Sequence, residues 1–127
     1  MTSPRHPDIE IYIKNCSLET IQAWLASHAE KIDTLSSKGN SHSLTLHIDD
    51  HAIDTLIHER AVGKAWTSLW LKSDKSPWAT DLECAHEAAS ALGAQVRCIV
   101  SGWEDGDDPD EYWKIENGAE EKIQWQT

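Results

Sequence analysis

The feature that most constrains this chain is a recurring two-residue alternation of large apolar side chains. Ile9, Ile11 and Ile13 alternate with Glu10, Tyr12 and Lys14, and Leu44, Leu46 and Ile48 alternate with Ser43, Thr45 and His47. Val96, Cys98 and Val100 alternate in the same way with Arg97 and Ile99. Successive side chains of a strand point to opposite sides of a sheet, so each segment reads as a strand with one apolar face. Residues 66–71 differ, because Trp66, Leu69, Trp70 and Leu71 make both faces apolar. That pattern predicts an interior strand covered on each side, at the centre of the sheet.

Two segments change to the helical period. Ser17 stands before Leu18, Ile21, Trp24 and Leu25, a helix-spaced stripe with a capping oxygen ahead of it, predicting a helix from about Leu18 to Ala29. Thr80 and Glu83 fit a capping box ahead of Leu82, Ala85, Ala89 and Leu92, and Gly93 stands where a left-handed C-terminal residue is wanted. Residues 31–35 read as a short strand joined by a hairpin to the strand that carries Leu44. From Asp49 onward, Ile53, Leu56 and Ile57 fit a short helix to about Glu59, although Thr55, Leu56 and Ile57 also suit a strand.

Near the C-terminus Trp113, Ile115, Ile123 and Trp125 belong to a hairpin. A three-residue loop of Glu116, Asn117 and Gly118 pairs Ile115 with Ala119 and keeps all four large residues on one face, so it is the expected turn. The element order then reads as one α+β domain over residues 1–127. Its expected architecture is two tandem βαββ-like units in a ferredoxin-like (split βαβ), largely antiparallel sheet with the helices packed on one face. Residues 1–8 read as a flexible N-terminal segment, and residues 104–111 as an acidic loop in which six of eight residues are carboxylates.

Charge narrows the function classes. The 127 residues include 22 acidic against 11 basic side chains, a net charge of −11, which disfavours direct nucleic-acid binding and anionic membrane surfaces. No apolar stretch is long enough to span a bilayer and no leader pattern opens the chain, so a cytoplasmic protein is expected. Cys16, Cys84 and Cys98 are an odd set without paired spacing, in keeping with a reducing compartment.

Three local constellations bear on chemistry. His47, Asp49, Asp50, His51 and His58 fall close together and supply imidazole and carboxylate, the ligand types of a first-row metal, but in no closed-site spacing. Solvated surface histidines are the plainer reading, and no metal or cofactor is expected. Cys84 and His86 suggest a thiol–imidazole pair, yet residues two apart on a helix point in different directions. The acidic run matches a calcium-binding loop only in composition, with Pro109 and Asp110 at the fifth and sixth positions counted from Asp105. Phosphate loops, nucleophile elbows and zinc-protease motifs are absent from the sequence.

The strongest asymmetry lies at the end of the chain, where residues 101–127 hold nine acidic residues and two lysines. Trp103 precedes the acidic run, and Tyr112 and Trp113 follow it. Aromatic anchors beside dense like charge suit the docking of a basic protein. The expected partner surface is therefore Trp103, Glu104, Asp105, Asp107, Asp108, Asp110, Glu111, Tyr112 and Trp113, on a non-enzymatic binding module. In general character this is similar to the small acidic immunity proteins and inhibitors that neutralise basic toxins or nucleases. One alternative is a small metal-dependent or ligand-binding enzyme using the His47–His51 region, and another is a homo-oligomeric structural protein.

Overall fold

A computed structural model describes residues 8–99 and 111–125. The elements run β1 (Ile9–Lys14), α1 (Leu18–Ala26), β2 (Lys31–Lys38), β3 (Ser41–Ile48), β4 (His51–Val62), β5 (Trp66–Leu71), α2 (Asp81–Leu92), β6 (Val96–Ile99), β7 (Glu111–Glu116) and β8 (Ala119–Gln124). All eight strands join one sheet in the order β2-β3-β4-β5-β1-β6-β7-β8, and every neighbouring pair is antiparallel.

This corrects the expected fold class. The chain is mostly an eight-stranded antiparallel sheet with two short helices, and tandem βαββ ferredoxin-like units are not formed. The difference begins at residues 49–62. Asp49 and Asp50 both take left-handed backbone angles, φ 49° and 66°, in a two-residue turn that pairs Ile48 with His51. Such a turn matches the twist of a hairpin, and it launches a twelve-residue strand where the apolar spacing also allowed a helix. Consequently β2 to β5 form a continuous meander, and β1 lies between β5 and β6.

Both helices start as their caps dictate. The Ser17 hydroxyl accepts from the Thr20 amide at 3.2 Å, and α1 ends at Ala26, three residues earlier than expected. In α2 the Thr80 hydroxyl accepts from the Glu83 amide at 3.2 Å, while the Glu83 carboxylate accepts from the Ala79 amide at 2.9 Å, one residue before the cap. Gly93 closes α2 at φ 62°, in the left-handed region where a side chain is strained.

The core lies on the helix-bearing face. Ile9, Ile11 and Ile13 of β1, Leu69 and Leu71 of β5, and Ile53 and Ile57 of β4 pack with Ile21 and Leu25 of α1 and with Cys84, Ala85 and Ala88 of α2. The register places all of these strand residues on the same side, and burying them supplies the main favourable term in folding. β5 is interior as expected, and its cover on the second side is partial: Trp66 is buried, 8% exposed, against Trp125 and Arg97, whereas Trp70 is half-buried. Trp66 and Trp70 point to the face that carries no helix among the described residues.

The C-terminal hairpin is also corrected. Glu116 pairs with Ala119 across a two-residue Asn117–Gly118 turn, with φ 54° and 80°. This type of turn needs left-handed angles at both central positions, and Asn followed by Gly provides them at least cost. Trp113 and Ile115 therefore face the core, while Tyr112, Ile123 and Trp125 face the opposite side.

Candidate functional site

The helix-free face gathers aromatic residues from strands far apart in sequence. Tyr12 of β1 is in register with Arg97 of β6, which is one step from the Ile99–Tyr112 pair between β6 and β7. Tyr112 is in turn paired with Ile123 of β8. Trp125 lies at the centre of the group, with ring centroids 5.4 Å from Tyr12, 5.1 Å from Tyr112 and 4.8 Å from Trp66. Most of these contacts are edge-to-face, the arrangement that sets a positive ring edge against a negative ring face.

Arg97 completes the cluster. Its guanidinium carbon lies 4.6 Å from the ring centroids of both Trp66 and Trp125, so the three groups form a nearly equilateral triangle. The Arg97 Nε donates to the Gln95 side-chain oxygen at 2.9 Å, which fixes the guanidinium plane. Desolvation lowers the Arg97 pKa, and the nearby Glu116 charge partly opposes the shift.

Carboxylates gather toward the end of this face nearest the acidic run. The Trp70 indole donates to Asp8 at 2.7 Å, and the Tyr12 hydroxyl donates to Glu10 at 3.3 Å. Partial desolvation raises the Glu10 pKa; the Tyr12 hydroxyl opposes that shift and Asp8 adds to it. The Tyr12 phenol is pushed up to about 12, first by burial and then by the negative charge of Glu10.

The residues expected to bind a partner divide as follows. Trp103, Glu104, Asp105, Asp107, Asp108 and Asp110 lie outside the described residues. Glu111 opens β7, and Tyr112 joins the aromatic face with Tyr12 and Trp125. Trp113 points the other way, packs against the core and carries the Lys122 ammonium 5.3 Å above its ring. Adjacent residues on a strand face opposite sides, so the two aromatic residues do not share one surface. Tyr12, Trp66, Arg97 and Trp125 were not singled out from sequence. In the sequence Tyr12 and Arg97 read only as alternating partners of apolar strand residues, Trp66 as part of an interior strand apolar on both faces, and Trp125 as a hairpin residue sharing a face with Trp113 and Ile115.

The histidine constellation is dispersed by the β3–β4 hairpin. His47 is on the helix-free face, where its imidazole meets Asp33 at 2.8 Å, and His51 is on the opposite face. Asp49 and Asp50 form the turn between them. His58 shares a hydrogen bond of 2.8 Å with Ser41 at the far end of the hairpin. Among the described residues no group of three or more His, Cys, Asp or Glu side chains is arranged to hold a metal ion.

Other titratable groups serve as ties between elements. Ser37, His42 and Glu59 form a hydrogen-bonded chain across β2, β3 and the end of β4, with His42 to Glu59 at 2.8 Å. His28, just beyond α1, lies 2.6 Å from Glu87 of α2, an ion-pair contact without hydrogen-bond alignment. Cys84 is buried and its thiol pKa is raised well above the ordinary value by desolvation, whereas His86 turns to Glu120 at 2.6 Å. The two residues do not meet.

Comparison with known proteins finds no family model that matches the sequence, and no curated protein or solved structure that matches it significantly. No helix among the described residues is long and apolar enough to cross a membrane.

Proposed function

We propose that this chain is a non-enzymatic protein-binding module that engages a basic partner, in the manner of an inhibitor or immunity protein. The observation that carries this reading is the position of β7. It takes the chain from the acidic run, through Glu111, straight into the cluster of Tyr12, Tyr112 and Trp125. Asp8 and Glu10 share that face and extend the negative charge beside the rings. Interfaces draw most of their binding energy from a few Trp, Tyr and Arg side chains, with surrounding charge setting rate and specificity. The excess of acidic residues would steer a basic protein toward this end of the molecule and make its association salt-sensitive.

The test is affinity capture from a native lysate at low and high salt, with three baits run together. These are the unaltered protein, an Asp107→Asn, Asp108→Asn, Asp110→Asn variant, and a Trp125→Ala variant whose folding is checked by circular dichroism. The reading requires a basic protein that the unaltered bait retains at low salt and releases at high salt. Both variants must lose it. Equal capture by all three baits would overturn the assignment.

A second reading, self-association, has one observation in its favour. β2 is an edge strand, and Leu35 at its bulge is the one large apolar side chain exposed among the described residues, at 63%. Unpaired strand edges are templates for pairing with another copy. Sedimentation across a concentration series decides it: a monomer at every concentration removes this reading.

A further inference from the structure

Three cations sit side by side on the helix-free face. β1, β6 and β7 are neighbours, and they place Lys14, Arg97 and Lys114 on the side away from the helices. Arg97 and Lys114 are direct cross-strand partners, the position at which like charges destabilise a sheet. Lys14 is one row away, where its backbone amide donates to the Gln95 carbonyl at 3.0 Å.

In a chain with 22 acidic and 11 basic side chains, any cation has carboxylates to choose from. Yet among the described residues none of these three has a carboxylate within ion-pair distance. Glu121 is opposite Lys114 on β8 but makes no such contact. The Arg97 guanidinium is held by the two tryptophan rings and by Gln95, and Gln95 in turn donates to Glu116 at 3.3 Å. Its orientation is therefore set while its two terminal nitrogens have no acceptor among the described residues. A guanidinium in that state offers parallel N–H donors whose spacing matches two oxygens of one anionic group. An open cleft of about 310 Å³ adjoins the patch only at Lys14 and Gln95 and runs from there toward Leu92 and Gly93 at the end of α2, without reaching Arg97 or Lys114.

We propose that Lys14, Arg97 and Lys114 form a receptor for an oxyanion, the carboxylate or phosphate group of a ligand, held by the Arg97 fork and bridged to Lys114. Such a ligand relieves the repulsion between the paired cations and supplies the acceptor that the terminal nitrogens of Arg97 lack among the described residues. The site shares Trp125 with the docking face but takes a ligand of opposite charge, an anion where the docking partner is basic.

The test follows the indole N–H signals of Trp66 and Trp125 by NMR while N-acetylaspartate or inorganic phosphate is added, with sodium chloride at matched ionic strength as the control. The expected result is a saturable shift with at least one of the two anions, weakened about tenfold or more in the Lys114→Gln variant. Arg97→Lys keeps the charge but lacks the fork, and it should weaken binding comparably. The anion that saturates at the lower concentration identifies the source group. Shifts that are linear and equal to those in chloride, or that persist unchanged in both variants, would overturn the proposal. The small probes need no protein partner, so failure here leaves the docking reading standing, and failed capture leaves this site standing.

Discussion

Truncating Ile115 and Ile123 to alanine should give very different losses, because the hairpin register sends them to opposite faces. Ile115 is fully buried against the core, with 0% of its surface exposed. Removing its carbons beyond Cβ forfeits about 2.4 kcal/mol of transfer energy at about 0.8 kcal/mol per methylene. The cavity left among neighbours that cannot fully collapse brings the total to roughly 3–4 kcal/mol. Ile123 is half-buried on the helix-free face, where solvent or a shifting ring can fill the space, so its loss should be about 1 kcal/mol. Urea unfolding followed by far-ultraviolet circular dichroism measures both, with an unchanged denaturant slope as the check that the unfolding transition itself is the same. Had the three-residue loop formed, both isoleucines would share one face and lose similar amounts. Equal losses, or a larger loss at Ile123, would refute the register and the face assignment built on it.

Thr80→Ala removes the oxygen that accepts from the Glu83 amide and should cost about 1 kcal/mol, read as a shift in the urea midpoint. The hydrogen bond from His47, with Lys31 3.4 Å away adding to it, holds the Asp33 carboxyl below its ordinary 3.8. A carboxyl lowered in the folded state stabilises above its unfolded pKa, and that contribution is lost as pH falls through the folded value. The stability gap between the unaltered protein and Asp33→Asn should therefore narrow on acidification below about pH 4, and a gap constant with pH would contradict this. Burial raises the pKa of every cysteine thiol, Cys98 to about 12 and Cys84 well above its ordinary value, with a smaller rise at the half-buried Cys16. At pH 8 a thiol reagent should modify Cys16 first, leaving Cys84 and Cys98 until the chain unfolds; early labelling of Cys98, mapped by mass spectrometry, would count against the packing of β6 under α2.

How much of this was legible beforehand follows from how each signal is encoded. β1, β3, β5 and β6 were readable because one apolar residue in two is a local pattern, and both helices were readable from Ser17, Thr80 and Gly93. Residues 51–62 were not, since Thr55, Leu56 and Ile57 satisfy either period and the deciding feature is the left-handed turn at Asp49 and Asp50. The C-terminal register is hidden because the large apolar residues of the hairpin do not all take the same side. In fact the helix-free face collects its own, and Ile123 and Trp125 join Tyr112 there. For the candidate site, Glu111 and Tyr112 were visible beside the acidic run. Tyr12, Trp66, Arg97 and Trp125 were not, because their proximity depends on β1 lying between β5 and β6, an order that no local pattern records.

The central claim is that the helix-free face beside the acidic run docks a basic protein. Its most direct test adds the basic protein recovered by capture, once purified, to isotope-labelled chain and follows the tryptophan indole signals. Trp125 and Trp70, on the helix-free face, should shift or broaden, while Trp24, packed in the core with α1, stays in place. Movement of Trp24 with Trp125 and Trp70 unchanged would put the partner on the helical side and contradict the account.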